Sequence, residues 1–138
     1  MKPLIPENIL QKNCKKINNR YAHLEYLNMK KLIDFTVTEN KRLNHDTILL
    51  VLHSDELPEI QPGQFVNVRV DHSPSTFLRR PISVHDVDES RGLLYLFIKI
   101  VGCGTSTLGE LQIGDKVNVM LPLGNHFSIP TSGRPLLI

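Results

Sequence analysis

Apolar and polar residues alternate from Leu32 onward. A period of two sends neighbouring side chains to opposite faces of an extended strand. Leu32–Glu39 is the first such run, and the polar Asn40–Asn44 reads as a turn. Asp46–Ser54 puts Ile48, Leu50 and Leu52 on one face, as a half-buried strand does. Pro62-Gly63 is a turn in which proline presets φ and glycine supplies a positive one. Phe65, Val66, Val68 and Val70 carry the next strand, and His72–Thr76 is a Ser/Pro loop. Leu78–Val87 is a strand holding two arginines and a proline, and Asp88–Gly92 is a hairpin turn. Leu93–Val101 is the most apolar segment, which predicts a strand covered on both sides. Thr105–Leu111 is the helix expected after residue 30. Ile113-Gly114-Asp115 then turns into Lys116–Leu121, where Val117, Val119 and Leu121 share a face. Six short, evenly spaced strands and one brief helix predict an all-β fold, a six-stranded antiparallel Greek-key barrel.

The two ends read differently. Residues 1–28 are rich in Asn and Lys and lack alternation, apart from a short helical stretch around Asn19–Tyr26; they are expected to form an irregular N-terminal extension. The barrel is expected over 29–130. Arg134–Ile138 is again apolar and strand-like, so 131–138 is expected to be the first strand of a second domain that the chain only begins.

Composition narrows the function classes. With 138 residues, the chain has room for one domain with its own core. A net charge of +2 without a basic block argues against nucleic acid as the partner. The longest apolar run falls far short of the roughly 20 residues of a membrane-spanning helix, and the N-terminus lacks the apolar core of a secretory signal. Cys14 and Cys103 are far apart and form no CxxC, which fits a reducing cytoplasm and indicates no metal site. The six histidines are scattered and form no HxxxH or HExxH pair.

Two segments carry candidate chemistry. In Arg79-Arg80-Pro81-Ile82-Ser83, a proline inside a strand donates no ladder bond and belongs at an edge or bulge, so the strand is expected to open there. Arg80 is the candidate for a diphosphate, because a planar guanidinium forms bidentate bonds to phosphate oxygens; a surface salt bridge is its competing role. A bulge at Pro81 would aim both Ile82, as an apolar surface, and Ser83, as a hydrogen-bonding group, at one ligand. On these residues alone, a core isoleucine and a turn serine fit better. The second segment is Gly102-Cys103-Gly104-Thr105. Its glycines allow close approach of backbone to ligand, and the free amides of a helix start, expected near Thr105 and Ser106, attract anions. Thr105 also suits a helix N-cap, and Cys103 a small residue filling a tight turn. Ser83 and His85 share a strand face, but no oxyanion-hole motif such as GxSxG accompanies them, so a hydrolase is disfavoured.

In order along the chain stand Pro62-Gly63-Gln64-Phe65, Arg79-Arg80-Pro81-Ile82-Ser83, Gly102-x-Gly104-Thr105-x-x-Leu108, Ile113-Gly114-Asp115-x-Val117 and Pro122-Leu123-Gly124-Asn125-x-Phe127. This set resembles the FAD-binding barrel of the ferredoxin reductase superfamily. The double arginine and the Pro-Leu-Gly-Asn stretch are similar to the electron-transfer subunits of NAD-dependent dihydroorotate dehydrogenases. The resemblance runs from about residue 32 to the end. It implies that Arg80 holds the FAD diphosphate, that Pro81 and Ile82 shape the isoalloxazine site, and that Ser83 lies near the reactive flavin nitrogen. It further implies that Phe97, Ile98 and Lys99 line the ribityl and ring edge, and that Gly104 and Thr105 bind phosphates. Many superfamily members carry an aromatic residue where Ile82 stands; its absence fits the dihydroorotate group. One departure is Leu121, where the family usually has glycine, which leaves the shape of the last turn open.

The function implied is an oxidoreductase subunit passing electrons from dihydroorotate oxidation through [2Fe–2S] and FAD to NAD⁺ in pyrimidine synthesis, alongside an FMN-containing catalytic subunit in a heterotetramer. A [2Fe–2S] cluster takes four cysteines, and the chain has two; cluster and NAD⁺ are therefore expected only in the full-length protein, and the chain alone is expected to be inactive. The alternatives are another ferredoxin–NAD(P) reductase-like subunit, or a non-enzymatic β-barrel interaction module whose Arg79 and Arg80 meet a protein or RNA surface.

Overall fold

The computed structural model describes residues 30–73 and 75–128. The expected N-terminal extension, its helix and the expected strand over 131–138 lie outside the described residues. Six strands form a closed antiparallel barrel in the order β1-β2-β5-β4-β3-β6. They are β1 (Lys31–Arg42), β2 (Thr47–His53), β3 (Phe65–Val68), β4 (Arg80–Asp88), β5 (Leu93–Lys99) and β6 (Lys116–Leu123), with one helix, α1 (Cys103–Gly109), before the last strand.

Alternation builds the core. Ile33, Phe35 and Val37 of β1, Ile48, Leu50 and Leu52 of β2, Leu94, Leu96 and Ile98 of β5, and Val117, Val119 and Leu121 of β6 point inward and are buried. Each such side chain contributes about 1.5–3 kcal/mol on leaving water. Helix α1 plugs one end: Leu108 is buried in the same core, and Asn40 Nδ2 donates to the carbonyls of Leu108 at 3.1 Å and Leu111 at 2.9 Å.

Several boundaries differ from the sequence reading. Asn40–Arg42 continue β1 rather than turning, because they pair with β2 from Asn40↔Leu50 to Arg42↔Ile48 while Asn40 holds the helix end. β3 ends at Val68 and β5 at Lys99, and β4 begins at Arg80 and not Leu78. β5 is not covered on both sides: Phe97 is 51% exposed, because no second layer lies outside the barrel there. The helix starts two residues earlier than expected, at Cys103. β6 runs through Leu121, which is fully buried, to Leu123, so the leucine at the family's usual glycine position fills the core.

The Asp88–Gly92 turn is a 3₁₀ turn over Glu89–Arg91. Asp88 caps it, accepting from Ser90 Oγ at 2.6 Å and the Arg91 amide at 3.1 Å. The Ser90 bond, with help from the Arg91 amide, holds the Asp88 carboxyl below the ordinary carboxylate range. The cap is therefore at full strength above that range and is lost only as pH falls through the lowered value. Gly92 closes the turn at φ +63, where a Cβ would stand 2.4 Å from the Ser54 carbonyl oxygen. Gly92→Ala is expected to destabilise the barrel by more than about 1 kcal/mol through both effects. Urea unfolding measures it, and an unchanged midpoint would contradict the packing described.

Candidate functional site

The barrel is closed, yet one seam is incomplete. β4 pairs with β3 along Arg80–Ser83, from Val68↔Arg80 to Phe65↔Ser83. Its pairing with β5 begins only at Val84↔Leu96 and continues to Asp88↔Leu93. β5 beyond Leu96 pairs with β2 alone, as far as Thr47↔Lys99. The two strands thus diverge between Arg80–Ser83 and Phe97–Lys99.

Proline explains part of this. The Val84 amide donates to the Gln64 carbonyl at 3.3 Å, so Val84 turns its backbone groups towards β3. By alternation Ile82 and Arg80 do the same, and Pro81 turns its own towards the seam. Pro81 has no N–H to offer, and no β5 partner stands opposite it. The expected opening is present. The bulge is not at Pro81 but between Val84 and Asp86, where the β4–β5 register shifts. Alternation stays regular through Arg80–Val84, so Ile82 and Ser83 face opposite sides and a bulge does not aim both at one ligand.

A hollow of about 650 Å³ opens at this seam. Its walls bring together Arg80, Pro81, Ile82, Lys99, Gly104 and Thr105 from the sequence-predicted set. Ser83, Phe97 and Ile98 are not among its walls. Ile98 points into the core, Ser83 is exposed on β4, and Phe97 lies against the His85 ring with centroids 5.7 Å apart. Sequence reading missed Ser75 and Thr76 as walls; the position of this Ser/Pro loop directly before the arginines was the available signal.

The α1 start differs in detail from the expectation. Gly102 is the N-cap and Thr105 stands three positions in. The Thr105 hydroxyl accepts from the amides of Val101 at 2.9 Å and Gly102 at 3.2 Å, and donates to the Gly102 carbonyl at 3.1 Å. The hydroxyl is consumed in shaping the turn, and what Thr105 can present is its backbone amide. The Ser106 amide is also taken, by Gly102 at 2.9 Å. The amides of Cys103, Gly104 and Thr105 are those without an intrahelical acceptor.

Arg80 lies against this turn. A Cβ on Gly104 would stand 3.2 Å from Arg80 Cδ and Nε and from Thr76 Cγ2, so glycine lets the arginine pack on the helix start. Arg80 Nε donates to the Leu78 carbonyl at 3.3 Å, and among the described residues no carboxylate pairs with the guanidinium. Lys99 Nζ is 3.5 Å from Asp46 Oδ2. The Thr47 hydroxyl, 2.9 Å from Asp46 Oδ1, is the main cause that holds the Asp46 carboxyl below the ordinary range; His45 and Lys99 add to it. Gly102 is different from Gly104. Its backbone is extended, and a Cβ there would meet nothing within 4 Å. Among the described residues no atom stands close enough to clash with a side chain at 102, so the glycine leaves the turn open to a ligand.

A larger hollow of about 860 Å³ lies between Pro62-Gly63, Phe127 and the far half of β4. Its walls carry Asp86, Asp88 and Glu89, the wrong sign for phosphate. Of the two, the smaller hollow, where cations and free amides converge, has the chemistry that suits a phosphate-bearing ligand.

Comparison with known proteins agrees with this chemistry. Residues 34–127 match the family model described as oxidoreductase FAD-binding domain. The electron transfer subunit of dihydroorotate dehydrogenase B (NAD(+)) from Desulforamulus reducens is 44% identical over 77 residues, covering 56% of this chain and 29% of that protein. The same subunit from Fusobacterium nucleatum is 35% identical over 100 residues, covering 72% of this chain and 39% of that protein. The chain thus spans less than half the length of these relatives. Among solved structures, the ferredoxin reductase in carbazole 1,9a-dioxygenase superposes with a TM-score of 0.66 at 25% identity, over 76% of this chain and 32% of that one. The NADH-dependent reduced ferredoxin–NADP oxidoreductase gives 0.61 at 29% identity, over 68% and 34%. No helix among the described residues is long and apolar enough to cross a membrane.

Gly102→Ala should change the unfolding free energy by no more than about 1 kcal/mol, since alanine loses less chain entropy in an extended conformation while glycine is the better N-cap. Chemical denaturation measures this; a marked loss of stability would mean that the fold itself needs the glycine.

Proposed function

This chain belongs to the family of oxidoreductase FAD-binding domains, and on that premise we propose that the seam between β4 and β5 is where it holds the FAD diphosphate. Arg80 supplies a fork of donors to the phosphate oxygens, and Lys99 exchanges its Asp46 contact for phosphate. The amides of Cys103, Gly104 and Thr105 complete the cradle. Pro81 and Ile82 offer an apolar wall to the flavin side of the ligand. The observation that carries this reading is the cation pressed onto a glycine turn: Arg80 against Gly104, with no carboxylate partner among the described residues. FAD, when bound, supplies the redox chemistry, and the protein supplies binding and orientation.

The larger role follows the printed names of the relatives. We assign the chain to an electron-transfer subunit that takes electrons from dihydroorotate oxidation, through [2Fe–2S] and FAD, to NAD⁺. Its partner in this reading is an FMN-containing catalytic subunit in a cytoplasmic heterotetramer, and the cluster and nicotinamide sites belong to parts of such a subunit beyond the barrel. The relatives that are dihydroorotate dehydrogenase subunits favour this over a generic ferredoxin reductase. The family match disfavours a non-enzymatic interaction module.

Titration with FAD, followed by flavin fluorescence, tests the site. Arg80→Ala is expected to weaken binding by about 10- to 100-fold, the worth of a charge-assisted hydrogen bond. Gly102→Ala should weaken it while leaving thermal stability intact. An unchanged affinity in Arg80→Ala would refute the assignment. Cys103 provides an independent footprint, being an exposed thiol on the wall of the hollow. Saturating FAD should slow its alkylation by iodoacetamide, read as the mass shift of the peptide carrying Cys103; an equal rate with and without FAD would place the ligand elsewhere.

A further inference from the structure

The neighbouring arginine has no contact with the hollow. Arg79 stands just before β4 and is half-buried against the outside of the barrel. One Nη donates to the carbonyls of Asn118 at 3.0 Å and Asn67 at 3.4 Å, and the other bonds the Asn118 side-chain oxygen. Asn118 Nδ2 in turn donates to Asp34 Oδ1 at 2.6 Å. Asn67 lies on β3, Asn118 on β6 and Asp34 on β1. A single guanidinium thus fastens the first residue before β4 to two neighbouring strands, and through Asn118 to a third. It does so on the side where β4 still has partners and opposite the seam where it has none.

We propose that Arg79 is a positioning residue for the cofactor site: clamped on the outside of β3, β6 and β1, it fixes the start of β4 so that Arg80 is directed across the open seam onto the Gly104 turn. Alternation supplies the geometry, since adjacent residues of an extended chain send their side chains to opposite sides. Fixing Arg79 outward commits Arg80 to the other side. Mechanics supply the need. On the β5 side Arg80–Ser83 have no ladder, and a strand end held by one neighbour only is free to swing. The clamp removes that freedom before any ligand arrives, which is how preorganisation raises affinity.

The inference rests on the FAD reading, and a double-mutant cycle separates the two. FAD and riboflavin, which lacks phosphate, are titrated into the wild type, Arg79→Ala, Asn118→Ala, Arg80→Ala and Arg79→Ala/Arg80→Ala. Arg79→Ala is expected to weaken FAD binding by about tenfold, within the usual range of coupling between neighbouring residues, and Asn118→Ala by a smaller factor in the same direction. In the Arg80→Ala background the Arg79 substitution should have no further effect, because its action passes through Arg80. Riboflavin, which meets β4 only through Pro81 and Ile82, should lose much less affinity than FAD in Arg79→Ala, whereas a general loosening of the barrel would weaken both equally. Arg79→Lys retains charge but not the fork, and should recover little of the FAD loss. If Arg80→Ala binds FAD as wild type does, the diphosphate reading falls and this inference falls with it. If Arg80→Ala is impaired but Arg79→Ala loses the same factor in both backgrounds, or loses riboflavin by the same factor as FAD, the diphosphate reading stands and the positioning role is overturned. Should Arg79→Ala unfold, Asn118→Ala carries the same cycle against Arg80→Ala.

Discussion

Six strands closed into a barrel expose no ladder groups unless two neighbours part, and here β4 and β5 part over one short stretch. The pairing ends at Val84↔Leu96. From there β4 follows β3, β5 follows β2, and the helix that plugs the barrel end comes to lie beside the gap. Every wall of the hollow derives from this divergence. Pro81 is tolerated because the side it faces has no acceptor to satisfy, and Lys99 is reachable because β5 has lost its partner on that side. Arg80 and Gly104 meet because a helix start occupies the place where a strand edge would otherwise continue.

Electrostatics then decides which hollow can take which ligand. The two hollows lie at opposite ends of the same strand. The first half of β4 meets cations and helix-start amides, and the second half meets the carboxylates of Asp86, Asp88 and Glu89. Volume alone would favour the acidic one. Charge reverses that order, because a diphosphate placed among three carboxylates is repelled, while one beside Arg80 and Lys99 gains charge-assisted bonds. The same strand therefore carries an end suited to phosphate and an end unsuited to it.

Much of this was legible in the residues. Alternation in β1, β2, β3 and β6, an unbroken apolar run in β5 and the arginine segment of β4 marked the six strands, and the apolar positions expected on one face of β2 and of β6 are buried in the core. Arg80 beside a proline, and glycines before a helix, identified the two segments that the fold brings together. What was not legible depends on partners distant in sequence. Asn40 looked like a turn residue because its bonds to Leu108 and Leu111 lie some seventy positions away. Thr105 looked like an N-cap because its reach back to the amides of Val101 and Gly102 depends on where the helix begins, and that is set by packing. Ile98 was placed with the site by family likeness, but inward alternation along β5 sends it to the core. Arg79 and Arg80 are indistinguishable by type; only the register of β4 against β3, and the bonds of Arg79 to Asn67 and Asn118, give them different sides.

That difference separates two kinds of constraint on neighbouring positions. Core positions such as Phe35 and Leu121 answer to volume, and their loss is felt as stability. Gly102 answers to no packing demand among the described residues: its backbone is extended, and space is open above it. Arg80 likewise has one weak bond to the chain and no carboxylate partner among the described residues. Residues that the fold does not require, gathered on one wall and carrying donors, are what a binding site looks like when its ligand is anionic. Arg79 stands between the two kinds. Its bonds are structural, but they hold the end of β4 that the core grips least, and that end is where the donors are aimed.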